Sequence, residues 1–168
     1  ESILFAKNKF PKSHFYLGDY MEYSFPNTYE IVFSESTLHY FEKSFFRIMQ
    51  KIYSNLSENG EMIVTHGRIS VKSLFVNFLR RMGLLVFKIA GESFFLKLGN
   101  LIYLDRYDEK FLRDQLVYLK EFPRLLTKKV IEKALVDAGF AKESIQVYSI
   151  PSTSFLQADH FFVYAKKS

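Results

Sequence analysis

The sequence predicts an α/β domain: a mostly parallel sheet with helices packed on it and a helical insertion in its middle. Three observations point to this class. Short segments rich in Val, Ile, Phe and Tyr alternate with stretches of helical period. The connections between them are short, as parallel strand–helix–strand units require. The alternation is suspended once, over residues 68–123, where helical spacing continues with no strand signal. A chain of 168 residues holds one domain of ordinary size, so these elements share one sheet.

Ser2–Phe10 carries a short apolar face and is closed by Pro11, the pattern of a helix end. His14–Leu17 is an apolar run ending at Gly18-Asp19, which predicts a first strand over Phe15–Leu17 and a turn. After the turn residues Pro26-Asn27-Thr28, Tyr29–Phe33 predicts a second strand, its continuous apolar centre suited to burial on both faces. Phe45, Ile48, Met49, Ile52 and Leu56 follow the i, i+3, i+4, i+7 rule and mark a helix ended by Asn59-Gly60. Glu61–Thr65 is the third strand.

Within the insertion, Val71, Leu74, Phe75, Phe78, Leu79 and Met82 form one helical stripe. Gly91 and Gly99 are breaks, and Asp108 is positioned to cap a helix carrying Leu112, Leu116 and Leu119. The apolar stretch from Gly83 to Leu104 is interrupted by Lys88, Glu92 and Lys97 and reads as buried or lid helices, not as a transmembrane segment. The strand–helix rhythm then resumes. Thr127 caps a helix with Ile131, Ala134, Leu135 and Ala138 inside and Gly139 at its end. Ser144–Ile150 and Asp159–Ala165 are the last two strands.

Composition removes several function classes. With no cysteine, disulfide frameworks, thiolate metal sites and cysteine nucleophiles are excluded, and a cytoplasmic setting is compatible with this. Four histidines without paired ligand spacing predict no metal site. Lys and Arg number 23 against 18 acidic residues, but the cations are scattered, with pairs such as Arg80-Arg81, Lys128-Lys129 and Lys166-Lys167 and no basic stripe; this makes nucleic acid an unlikely partner. No signal peptide is visible. The 19 Phe and 11 Tyr exceed what a core needs and leave apolar surface for a pocket or another subunit in a homo-oligomer.

The order of elements resembles the class I S-adenosylmethionine-dependent methyltransferases, which have a Rossmann-like fold. Gly18-Asp19 looks like the "GD" ending the family's third strand, and Tyr29-Glu-Ile-Val-Phe-Ser34 is similar to the "fDvV" fourth strand, with Glu30 for the usual Asp. Leu38-His39-Tyr40 resembles the following "lHh", and Leu56-Ser-Glu-Asn-Gly60 before Glu61-Met-Ile-Val matches the "LkpGG" turn and fifth strand. Ala138-Gly139-Phe140 looks like the "aGF" before the terminal hairpin, and Ala158–Tyr164 fits the antiparallel last strand. The resemblance covers nearly the whole chain outside the insertion and implies a sheet order of 3-2-1-4-5-7-6 in family strands. It places the family's glycine-rich loop and ribose-binding acidic residue upstream of Glu1, so residues 1–168 are expected to be a single, N-terminally incomplete methyltransferase-like domain, with the fourth family strand as a bare edge.

The resemblance implies S-adenosylmethionine as cofactor and assigns residues to it. Asp19 would accept a hydrogen bond from the adenine amino group, with Tyr20 beside the ring. Ser34 and Glu35, at the end of the fourth family strand, would line its methionine end, since open α/β sheets take ligands in that crevice. His39 is the candidate catalytic base, because imidazole titrates near neutrality, and His66 is a second, weaker candidate. His14 and His160 read as structural. The absence of an Asn-Pro-Pro-Tyr motif after the fourth strand favours a small-molecule acceptor. The sequence therefore points to an enzyme, a methyltransferase acting on a small, largely apolar molecule, with residues 68–123 as a lid. The alternative is a catalytically inactive methyltransferase-like domain that binds a protein partner.

Overall fold

The structure, a computed structural model, describes residues 2–35, 38, 45–103, 125–152 and 158–168. It is a mixed α/β domain with four α-helices and one four-stranded sheet among these residues. In chain order the elements are α1 (Ser2–Lys9), β1 (Tyr29–Ser34), α2 (Phe45–Asn55), β2 (Leu56–Gly67), α3 (Val71–Tyr103), α4 (Lys128–Ala138), β3 (Ile145–Ile150) and β4 (His160–Lys166). The strands lie in the order β1-β2-β4-β3. β1 and β2 are parallel, and β4 is antiparallel to both β2 and β3.

The core lies on one face of this sheet. Met62, Val64, Val163 and Ala165 alternate inward from β2 and β4, and all four are fully buried. α2 brings Ile48, Met49 and Ile52 to them, and α4 brings Ile131 and Leu135. α2 and α4 also pack on each other, so two helices roof one sheet face. The helical spacing read from the sequence therefore marks the true inner faces of both helices.

The ends of α4 follow from its caps. Thr127 Oγ1 accepts from Val130 N, and Gly139 adopts the left-handed conformation with φ 116°. Gly139 N then donates to Val136 O and Phe140 N to Leu135 O, a Schellman ending that turns Phe140 into the core. A Cβ at Gly139 would stand 2.9 Å from the Tyr53 ring.

Three local readings change. Phe15–Leu17 is not a strand: the segment is irregular, with Leu17 89% exposed. A strand needs a neighbour to take its backbone hydrogen bonds, and no described strand lies beside this one. α2 ends at Asn55, earlier than the Asn59-Gly60 turn, because Leu56 already pairs with Tyr29 as the first residue of β2. The extra residues are absorbed in a bulge, since Tyr29 pairs with Leu56 but Ile31 with Glu61, and Asn59 takes a positive φ of 62° there. Finally, β1 is half-buried on one side and open on the other. Ile31 and Phe33 are 59% and 62% exposed, because α2 and α4 cover the other side of the sheet.

α3 is the helix of the insertion among the described residues, with non-helical backbone at Gly91 (φ 78°, ψ 173°), one of the two predicted breaks; at Gly99, the other, the helix continues. The helix predicted after Asp108 lies outside the described residues.

Two substitutions test this packing by urea denaturation of the full chain. Ile52→Ala, at a fully buried position, is expected to cost about 2–5 kcal/mol. Gly139→Ala, which places a side chain at positive φ against Tyr53, is expected to cost about 1–3 kcal/mol.

Candidate active site

β1 and β2 run parallel, so their carboxyl ends lie at the same edge of the sheet. Ser34, the last residue of β1, pairs with Val64, and β2 continues to Gly67. Antiparallel β4 begins at that edge, with His160 opposite Gly67. Ser34-Glu35, His66-Gly67 and Asp159-His160 therefore share one end of the sheet, the end at which open α/β sheets hold ligands.

A polar clamp fixes the start of α3 to this edge. Ser70 precedes the helix and accepts from Ser73 N at 3.1 Å, an N-cap. Ser70 Oγ donates to Asp159 Oδ2 at 2.6 Å and lies 3.0 Å from Ser73 Oγ. Ser73 Oγ in turn accepts from Asp159 N at 3.0 Å. Asp159 Oδ1 accepts from Ser152 N at 3.1 Å and has Lys72 Nζ 4.0 Å away, while Asp159 O accepts from Arg68 N. The Ser70 hydroxyl holds the Asp159 carboxyl below the usual carboxylate range. Burial opposes it, and Ser152 N–H, Lys72 and Arg68 add to it. The sequence reading missed this clamp. Ser70-x-x-Ser73 ahead of a helical stripe is a local capping signal, but Asp159 is 89 positions from Ser70 and no spacing rule links them.

The candidate residues occupy different settings. Ser34 is half-buried at the end of β1, and Glu35 is exposed beside it. His39 lies outside the described residues. Asp19 is exposed; its Oδ1 accepts from Met21 N at 2.8 Å and its carbonyl from Glu22 N and Tyr23 N, so it organises a tight turn. Tyr20 packs against α2. Its hydroxyl accepts from Asn55 Nδ2 at 3.3 Å, and Lys51 Nζ stands 5.3 Å from its ring centre. Burial pushes the Tyr20 phenol up, with Asn55 opposing. Lys51 also donates to Met21 O at 2.8 Å and Tyr23 O at 2.7 Å, which ties the whole 19–25 turn to α2.

Asn55 ends α2, near the start of β1, whereas Ser34 and Glu35 stand at the other end of that strand. The Tyr20 hydroxyl is thus turned away from Ser34. A recess of about 290 Å³ near the turn is lined by Lys7, Pro11, Ser13, His14, Phe15 and Tyr16, and by none of the candidate residues.

The other histidines differ in burial. His66 is 1% exposed on the helix-covered face, edge-on to Phe45 at 4.9 Å, with Nδ1 3.0 Å from Gly67 O. His160 is half-buried on the opposite face, and burial holds its imidazole below the ordinary value, with Asp159 opposing. Among the described residues no group of three or more acidic or histidine side chains could hold a metal ion.

No protein-family model and no curated protein matches the sequence. Solved structures match the fold. A candidate O-methyltransferase from Nostoc punctiforme PCC 73102 aligns with 99% of this chain and 39% of its own, at 18% identity and a TM-score of 0.55. The mitomycin 7-O-methyltransferase MmcR aligns with 98% of this chain and 37% of its own, at 12% identity and a TM-score of 0.54. PKMT2 from Rickettsia typhi, in complex with AdoHcy, aligns with 88% and 37%, at 10% identity and a TM-score of 0.50. The chain spans about two fifths of the length of these proteins. At such identities the likeness shows the fold alone, a methyltransferase-like α/β fold.

The clamp makes stability pH-dependent in a stated direction. The native Asp159 pKa lies below the unfolded value of about 3.9, so its stabilisation is complete above that value. It is lost as pH falls through the native pKa. Wild type is expected to exceed Asp159→Asn by about 1.5–3 kcal/mol at pH 7, the usual worth of hydrogen bonds to a charged group. The gap should shrink as pH falls below the unfolded carboxylate value in urea denaturation series.

Proposed function

We propose that this chain takes part in S-adenosylmethionine-dependent methyl transfer to a small, largely apolar molecule, at the strand-end edge beside Ser34 and Glu35. The observation that carries this reading is the parallel pair β1–β2 ending together in a chain that matches methyltransferase folds over nearly its whole length. The residues suit the cofactor chemically. Glu35 is an exposed carboxylate at the strand end, able to accept from an ammonium group. Asp19 spends one lone pair on Met21 N and keeps further acceptor sites for an adenine amino group.

When bound, the cofactor supplies a sulfonium methyl group, a strong electrophile. The protein's part is then to orient the acceptor in line with it and to exclude water. Ser34 backbone and Glu35 hold the methionine end in this reading. Asp19 is the residue the family resemblance assigns to the adenine; its turn is tied to the α2 end of β1, away from Ser34, and Tyr20 stiffens that turn by packing on α2. His39 accepts the proton that the acceptor hydroxyl or amine loses as its bond to the methyl carbon forms. The segment 68–123 acts as the lid, its start fixed at the strand ends by the Ser70–Asp159 clamp.

Titration calorimetry of S-adenosylhomocysteine into the full-length protein tests the cofactor site. Asp19→Ala is expected to weaken binding about tenfold or more, the loss of one hydrogen bond to a charged group. Unchanged affinity in that variant would remove Asp19 from the site, and no heat from the wild type would remove the cofactor. His39→Ala should leave that affinity intact and lower kcat by about a hundredfold at neutral pH. An equal kcat would refute its role as base.

A further inference from the structure

The stripe of α3 that faces the body of the protein is polar and incompletely satisfied. Ser73, Asn77 and Arg80 fall within an arc of about 60° at 100° per residue, over roughly 10 Å of helix. Ser73 is fully buried, and its hydroxyl accepts from Asp159 N. Asn77 Oδ1 and Arg80 Nη1, one and two turns further on, are buried and have no hydrogen-bond partner among the described residues. Burial holds the His160 imidazole low, with Asp159 opposing and the Arg80 charge adding to it, so the guanidinium lies within electrostatic reach of the start of β4. A buried donor without an acceptor is costly to a fold, most of all when it is charged, and a ligand that completes it removes that cost.

We propose that Arg80 and Asn77 form a subsite for a carboxylate of the methyl acceptor, with a hydroxyl or N–H of the same molecule donating to Asn77. This rests on the methyl-transfer reading and narrows its acceptor to a small molecule with an apolar body and one carboxylate. Charge and donor pattern select this ligand. A guanidinium carries one fixed positive charge and a planar fork of donors that matches a carboxylate. Asp159, the acid at the start of β4, is already engaged by the Ser70 hydroxyl, the Ser152 N–H, Lys72 and Arg68. A phosphate dianion fits less well, because Asn77 Oδ1 is itself an acceptor and would face its second charge. The place in the fold suits an acceptor. β4, β2 and β1 are successive neighbours in the sheet, so two strand spacings, about 10 Å, separate the strand of His160 from that of Ser34. A molecule held at Arg80 extends along this edge toward the residues proposed for the methionine end of the cofactor.

Titration of 3-hydroxybenzoate into the full-length protein, followed by ligand-observed NMR, tests the subsite, with 3-hydroxybenzamide as the uncharged control. The acid is expected to bind, and the amide to bind about tenfold or more weakly, as for the loss of a charged hydrogen bond. Arg80→Met keeps the bulk and removes the charge. It should weaken the acid about tenfold without lowering the thermal melt, because it deletes a buried charge with an unpartnered donor. Asn77→Asp gives Arg80 an acid three residues before it, and should abolish binding of the acid while raising the melt. Lys88→Ala, at an exposed position on the same helix, should bind the acid as wild type does. No binding of the acid by wild type, equal binding of acid and amide, or unchanged affinity in Arg80→Met overturns the proposal. The two readings fail separately. S-adenosylhomocysteine binding without binding of the acid refutes the subsite alone, whereas Arg80-dependent binding of the acid without S-adenosylhomocysteine binding refutes methyl transfer and, with it, the acceptor role.

Discussion

Strand β2 is hydrogen-bonded on both sides, parallel to β1 and antiparallel to β4, and its inward residues are sealed by α2 and α4. Each neighbour depends on it. β1 has β2 as its partner in the described sheet, and β4 carries β3 only because it is itself registered on β2. Register in such a strand is strongly specified, since a slip of one residue would move Met62 and Val64 out of the core and Ile63 and Thr65 into it. The bulge at Asn59-Gly60 takes up the mismatch between the helix end and this register.

From β2 the geometry of the candidate site follows. Because β1 is parallel to it, Ser34 and Glu35 emerge at the edge where Gly67 hands the chain to α3. Because β4 returns antiparallel, Asp159 arrives at that edge and meets Ser70. An aspartate whose carboxylate accepts from one hydroxyl and one backbone N–H, and whose own N–H and C=O bond Ser73 and Arg68, is a fully engaged polar junction, and such junctions fix direction where apolar contact alone would let a helix slide. The junction sets the orientation of α3, and with it which side of that helix meets solvent.

The sheet is roofed by α2 and α4 on one face, while Ile31, Phe33, Tyr148 and Ile150 on its strands are 45–62% exposed. Phe33 and Tyr148 on the sheet, with Phe75, Phe78 and Phe94 on α3, place part of the aromatic composition on surfaces among the described residues.

The sequence by itself determined the elements whose signals are local. The helical spacing of Ile48, Met49 and Ile52, the Thr127 and Gly139 caps, and the apolar runs at Tyr29–Phe33 and Glu61–Thr65 each encode their own conformation within a few residues. Ser34 and Glu35 were legible as strand-end residues for the same reason. Tertiary structure alone decided the rest. Phe15–Leu17 has strand-forming residues, yet a strand exists only against a partner that its own sequence does not specify. The stripe of α3 is plain in the sequence, but periodicity defines a face without saying what it meets, and the clamp turned that face outward. Asp159 and Ser70 form one junction across 89 positions, and Tyr20 is drawn to Asn55 and Lys51 on α2. Those contacts come from how the strands are ordered in the sheet, a long-range property that no local pattern of residue types records.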